Sequence, residues 1–287
     1  MIKYIIALSM IFSTAQSVAE IPNKFKVYTT GAGVAGPYCR ALVEAYNNKY
    51  NSTATLSIKP GASGLLALLD MLNDTNFSFS CMVAAPATLA IANPIHTKDM
   101  DTITPINAFC DTPLIFNTRL SSPFNNLSEL VNTKKAITVG QHTMAGQVAS
   151  QKMFSQDATN VNYKTMTEAI PSIVEGTLDV YIDGGTLSGT GLTKSLGRIG
   201  GASTTPGQNL TNTVLGKQIP TYGCVNFTHK KYEAYAVELN ARLNIVQRDS
   251  LLTSMLLKVH NEPLFLNVPE SKNYVDTFSK AISTTVR

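Results

Sequence analysis

Gly31, Ala32, Gly33 and Gly36 follow directly on a stretch in which Phe25 and Val27 alternate with charged and polar neighbours, and Pro37 comes next. The alternation predicts a strand, the glycines a tight turn, and the proline a preset first turn of helix. The chemistry this order supports is anion binding. The first four amides of a helix have no partner within it, and the macrodipole adds roughly half a positive charge at that end. Thr29, Thr30, Gly31, Ala32 and Gly33 are therefore the expected ligand contacts of the first turn. The simplest alternative is that the glycines only permit the turn. A second alternative reads Gly31-Ala-Gly33-Val-Ala-Gly36 as a dinucleotide fingerprint, which needs an acidic residue about twenty positions on. Between Glu44 and Asp70 there is none.

A second group, Gln141, His142 and Thr143, follows another predicted strand and opens another predicted helix, so it is expected to face the first turn across a cleft. The other reading of His142 is an exposed turn histidine. Ala85 ends a near-continuous apolar strand and is expected at the same sheet edge. Asp179 and Asp183 lie four apart on a predicted strand, on one face, as an acid/base pair would. Turn ordering is the preferred role: Asp183 precedes Gly184 and Gly185, and its place at the cleft makes it a candidate contact as well. The chain has no GxSxG elbow and no HExxH, and His96, His142, His229 and His260 have no metal-ligand spacing. The expectation is a binding protein without cofactor or metal, not an enzyme.

The elements that must position these residues repeat one pattern. A helix over 38–50, a strand over 54–58, the glycine turn Lys59-Pro-Gly-Ala-Ser-Gly64, a helix over 65–73, a strand over 77–84 and a helix over 87–92 make consecutive strand-turn-helix units, the mark of an α/β fold. Two extended pieces, within 103–109 and 113–117, cross to a second series: strand 136–140, helix 145–154, strand 161–164, helix 167–175, strand 178–182 and strand 198–202. Residues 222–227 are the expected return crossover. Helices over 230–244, 250–260 and 271–284, with an extended piece at 264–266, are expected to pack back on the first lobe. Ligands of open α/β sheets bind beyond the carboxyl ends of the strands, where these turns lie.

Residues 1–19 carry Lys3, an apolar run from Tyr4 to Phe12 and a small-residue end at Ala19, which predicts a signal peptide cleaved after Ala19. Its apolar run is too short to span a bilayer, and no later segment is long enough. Cleavage removes one positive charge from a formal +4, and with charged residues at only 15% and no basic block, nucleic acid is not an expected partner. Cys39, Cys81, Cys110 and Cys224 have no zinc spacing, and an exported chain favours disulfides. If the two crossover strands are neighbours, Cys110 and Cys224 can pair, leaving Cys39 with Cys81. Free buried thiols are the alternative, since spacing does not establish connectivity.

Several segments resemble the extracytoplasmic receptors of the tripartite tricarboxylate transporters, the Bug receptors. Lys59-Pro-Gly-Ala-Ser-Gly64 resembles their RPGAGG turn, Ile103-Thr-Pro-Ile106 their FTPI, Val161-Asn-Tyr-Lys164 their VPYKG, and Glu175 through Asp183 their GGQVDLMFD. The order and spacing of the four segments carry the likeness, over roughly 24–284. Two departures stand out. Where the family commonly reads PGGxxDxxAR, Arg40 matches but Gly36 stands at the aspartate; and Val139-Gly-Gln-His-Thr-Met-Ala-Gly146 replaces YGSSGxGS. The resemblance implies an α/β, two-lobed periplasmic binding protein of type 2, each lobe a mostly parallel sheet flanked by helices, joined by two crossover strands. Lobe 1 would be 20–108 with 228–287, and lobe 2 109–227. It further implies a periplasmic monomer that closes on a small carboxylate and docks transiently on membrane permease subunits. A sensor input for a membrane signalling partner is the other class.

Overall fold

The computed structural model describes residues 20–31, 35–60, 64–83, 101–154, 158–187, 190–200, 209–210, 213–214, 217–218 and 222–283. The signal peptide, the helix expected over 87–92, and Ala32, Gly33 and Ala85 lie outside them.

Strand β1 (Lys26–Thr29) buries Val27, Tyr28 and Thr29 and leaves Lys26 exposed. Helix α1 (Ala35–Tyr50) begins three residues before the expected start. Pro37 fits there because a first-turn residue has no intrahelical partner for its missing N–H. Tyr38, Cys39, Leu42, Val43 and Tyr46 form its buried face. Asn51, with φ +49°, ends it. Then come β2 (Thr55–Ile58), α2 (Leu65–Asn73) and β3 (Ser78–Val83), with β1 parallel to both β2 and β3.

Strand β4 (Ile103–Thr112) belongs to this first sheet, and β5 (Leu114–Arg119) to a second; only Pro113 separates them. The second sheet is assembled from α3 (Leu127–Val131), β6 (Thr138–Gln141), α4 (Met144–Met153), β7 (Thr159–Asn162), α5 (Met166–Glu175), β8 (Val180–Asp183), β9 (Thr193–Ile199) and β10 (Asn209–Leu210). After the small pair β11 (Thr213–Val214) and β12 (Lys217–Gln218), β13 (Tyr222–His229) returns to the first sheet. The 3-10 helix Lys230–Tyr235 leads into α6 (Ala236–Gln247), α7 (Ser250–Leu257), β14 (Glu262–Pro263) and α8 (Val268–Ser283). Helices α6 and α8 pack on β4, so the tail covers the first sheet as expected.

The two sheets share one plan. The first runs β14-β4-β13-β3-β1-β2, the second β10-β9-β5-β8-β6-β7. In each, three parallel strands have the first in chain order at their centre, and the strand arriving from the other sheet lies antiparallel beside the third. The lobe limits expected from sequence, 108/109 and 227/228, fall inside β4 and β13, which pair with each other in the first sheet with irregularities at Ile106 and Phe109. The strand expected at 198–202 runs instead from Thr193 to Ile199, paired along its length with β5.

Cys110 and Cys224 face each other in register on β4 and β13 and form a disulfide with Cα atoms 4.9 Å apart; Cys39 of α1 and Cys81 of β3 form the other, at 5.9 Å.

Candidate functional site

At the carboxyl end of β1, the Thr29 side chain is fully buried, and among the described residues its hydroxyl has no hydrogen-bond partner. Its carbonyl accepts from Lys59 N at 2.8 Å, extending the pairing with β2. Thr30 and Gly31 are half-buried. Gly31 sits at φ +70°, a conformation that favours glycine, and a Cβ there would run into Ile58 Cγ2. Lys59, the basic residue of the second glycine turn, pairs with Asp70 at 2.8 Å; both side chains are nearly half exposed, so the pair adds little stability.

At the carboxyl end of β6, the Gln141 side chain is fully buried. Its Nε2 donates to Asn162 Oδ1 at the end of β7, at 2.8 Å, while Oε1 has no partner among the described residues. The half-buried His142 hydrogen-bonds through Nδ1 to the Tyr181 hydroxyl at 2.6 Å, and the two rings lie 10° from parallel. Burial pushes its pKa below the ordinary value, so the imidazole stays neutral at neutral pH. Thr143 is the N-cap of α4: its Oγ1 accepts from Gly146 N at 3.1 Å and its carbonyl from Gln147 N at 3.0 Å. That hydroxyl has a structural duty as a helix cap.

Asp183 ends β8 with 1% exposure. Oδ1 accepts from Gly185 N at 2.9 Å and Asn117 Nδ2 at 3.2 Å, and Oδ2 from Leu187 N at 2.8 Å. Burial raises its pKa, against the opposing pull of these bonds. Of its two expected roles, the geometry supplies the turn ordering: the carboxylate is folded onto residues 185–187 and acts through them. Asp179 is bound elsewhere, accepting from Thr138 N at 2.9 Å and pairing with Lys135 at 3.5 Å, so the two carboxylates make no acid/base pair.

Thr29 and Gln141 hold the same place in the two sheets, each the last residue of the central parallel strand. Gln141, His142 and Thr143 come together around the start of α4. Sequence reasoning missed three partners. Asn162 is a strand-end residue and could have been found by the carboxyl-end rule. Tyr181 and Asn117, inside buried strands, gave no signal beyond an apolar run.

By sequence the chain matches no protein-family model and no curated protein. Its structure is similar to that of the periplasmic binding protein BugD, with a TM-score of 0.73 at 15% identity, over 92% of this chain and 98% of that one. MatC from Rhodopseudomonas palustris with bound malate aligns with a TM-score of 0.69 at 14% identity, over 91% of this chain and 100% of that one. Another R. palustris protein, with adipate, aligns at 0.75 and 14% identity, over 93% and 98%. The fold is that of a two-lobed, type 2 periplasmic binding protein. In a binding-protein fold of this plan, the ends of β1 and β6 are where a ligand is expected. Among the described residues, no helix is long and apolar enough to cross a membrane, and no group of three or more His, Cys, Asp or Glu could hold a metal ion.

Proposed function

We propose that this chain is an extracytoplasmic solute receptor of the Bug type, which binds a small carboxylate between its lobes and delivers it to a membrane permease of the tripartite tricarboxylate kind. The observation that carries the reading is the fold shared with periplasmic binding proteins, in which Thr29 and Gln141 end the central parallel strands of the two sheets. The malate and adipate held by proteins of similar structure support a carboxylate.

In this reading the turn after β1, with Thr29, Thr30, Gly31, Ala32 and Gly33, takes one carboxylate on backbone amides and the threonine hydroxyl, and Ala85 lines the same edge. Charge-assisted bonds from amides hold an anion without a buried cationic side chain. Gln141, His142 and Thr143 form the opposite wall, and Asp183 shapes the turn beside it. The chain is exported to the periplasm, cleaved after Ala19, and works as a monomer by binding rather than by catalysis.

The test is a thermal-shift screen of the chain from Glu20 to Arg287 against mono-, di- and tricarboxylates, with amino acids and nicotinamide nucleotides alongside. A ligand specific to the folded state adds about 2.7 kcal/mol of stability at a hundredfold excess over its Kd, a shift of several degrees. A shift with a nucleotide and with no carboxylate would overturn the proposal.

A further inference from the structure

We infer that Gly185 is a positioning residue: it seats the Asp183 turn of the second sheet on the Val259 carbonyl of the tail, and so sets the angle at which the two lobes meet across the cleft. The consequence for a ligand rests on the receptor reading above; the lobe angle does not.

The contact joins the two halves beside the crossover. Gly185 follows β8 of the second sheet, whereas Val259 lies between α7 and β14, and β14 pairs in the first sheet with Asp111 and Cys110 near the end of β4. Gly185 is buried at φ +100°, and a Cβ there would stand 2.5 Å from Val259 O and 3.3 Å from its carbonyl carbon. No side chain fits at that carbonyl, and backbone cannot step aside as the end of a flexible side chain can.

Both sides of the contact are held in place. On one, Asp183 accepts from Gly185 N and Leu187 N and is itself bonded by Asn117 of β5. On the other, α7 ends in a compact turn: Val259 N donates to Leu256 O at 3.1 Å, His260 N to Leu257 O at 3.0 Å and Asn261 N to Leu256 O at 3.0 Å, with His260 at φ +60°. Asn261 is buried and ties this turn to the crossover strands, its Nδ2 lying 3.4 Å from Cys110 Sγ and 4.0 Å from Cys224 Sγ, both weak acceptors. A second approach accompanies the first: burial and the nearby Arg198 guanidinium of β9 both lower the pKa of His260. Lobes turn on a few residues that absorb the change in φ and ψ. Here the two crossover strands are joined by a disulfide, and a rigid turn from each half meets beside them. A displacement so near the hinge grows with distance from it, so an added methyl at residue 185 changes the separation of the ends of β1 and β6.

The experiment measures lobe separation by dipolar EPR in the chain from Glu20 to Arg287, without reductant, between spin labels at exposed positions of α1 and α5 introduced as Lys49→Cys and Glu175→Cys. Gly185→Ala is compared with Gly191→Ala, at φ +72°, where a Cβ meets nothing within 4 Å and the backbone penalty stands alone. Gly185→Ala should shift the mean distance and Gly191→Ala should leave it in place. Asn261→Ala, which frees the turn from the disulfide, should broaden the distribution, so the test survives if Gly185→Ala fails to fold. Calorimetric titration with the mono-, di- and tricarboxylates of the screen above adds a second readout. Gly185→Ala should bind the tightest of them about tenfold or more weakly, and Gly191→Ala within about twofold of the unmodified chain. An unshifted distance in Gly185→Ala, equal shifts in the two glycine variants, or an unbroadened distribution in Asn261→Ala overturns the inference. A shifted distance with unchanged affinity overturns the positioning role. Failure of every carboxylate to bind overturns the receptor reading, and the distances still decide the lobe angle.

Discussion

Gly36 packs directly on the carbonyl of Gly31: a Cβ built at Gly36 would stand 2.5 Å from Gly31 O and 2.9 Å from its carbonyl carbon. The turn between β1 and α1 therefore closes so tightly that residue 36 has no room for a side chain. This is the position where the Bug receptors commonly carry aspartate. The departure is a packing requirement of this turn, not a free exchange of one ligand contact for another. Helix propensity alone would make Gly36→Ala stabilising by about 1 kcal/mol. Overpacking against backbone is expected to win, with Gly36→Ala losing about 1–3 kcal/mol and Gly36→Asp more. Urea denaturation decides it by sign: a more stable alanine variant would mean that the close approach is absent.

The two disulfides close loops of different length, with sequence separations of 42 for Cys39–Cys81 and 114 for Cys110–Cys224. In the chain-entropy account, these constrain the unfolded state by about 4 and about 5 kcal/mol respectively. Paired Cys→Ser replacement should lower stability in both cases, and further for Cys110 with Cys224. Denaturant midpoints of the two double variants, measured without reductant, check the order. Equal losses, or a larger loss for Cys39 with Cys81, would point to native-state packing around α1 and β3 as the dominant contribution.

His142 gives the stability of the second lobe a pH dependence. Burial lowers its pKa from the ordinary 6.5, so between the two values the folded state binds fewer protons than the unfolded one. Its contribution is present above 6.5 and is lost as pH falls through the depressed value. His142→Phe keeps a ring against Tyr181 and removes the titration. Its melting temperature should fall less than that of the unmodified chain between about pH 7 and about pH 5. His229 and His260 are shifted in the same direction and stay in both proteins, so the difference between the two pH profiles belongs to His142. Parallel profiles would contradict a buried imidazole.

Much of this fold was legible because local signals and global packing agree. The helix over 65–73 has the limits expected from its apolar run, and α4 and α5 start within a residue of theirs. Strands β1, β2 and β3 follow from alternation and apolar runs. Helix α3 was not anticipated, although its cap was written in the chain: Asn126 accepts from Glu129 N at 2.9 Å, and Glu129 accepts in return from Asn125 N at 2.8 Å and Asn126 Nδ2 at 2.9 Å. Five residues of helix are too few for periodicity to register. The segment 230–235, expected as part of a helix over 230–244, is 3-10, and the extended piece expected at 264–266 continues the pairing of β14 with β4, Leu264 N donating to the Phe109 carbonyl at 2.8 Å and Leu266 N to that of Ala108 at 3.2 Å. Both are settled by how the tail meets β4, which is tertiary information. Strand-end position places Thr29 and Gln141 at the sheet edges and the glycines that follow Asp183 give it its turn, but neither shows Thr143 committed to capping or His142 bonded to Tyr181. The Thr143 cap on Gly146 N is local, whereas the bond to Tyr181 needs β8 beside β6 and follows only once the second sheet is assembled.

Thr29 offers the most direct separation of a functional residue from a structural one. Its hydroxyl is buried without a partner among the described residues, so in the unliganded chain it contributes a desolvation penalty and no bond. Thr29→Val replaces that hydroxyl with a methyl of similar shape at a strand position that suits a β-branched residue. The variant is expected to be more stable than the unmodified chain, by about 1 kcal/mol or a few degrees of melting temperature. It is also expected to bind a carboxylate about tenfold or more weakly, because one charge-assisted donor is gone. Opposite signs for stability and affinity mark a residue kept for its ligand at the expense of the fold. A loss of stability would mean that the hydroxyl is satisfied in the native protein, and a gain without loss of affinity would place the carboxylate away from the end of β1.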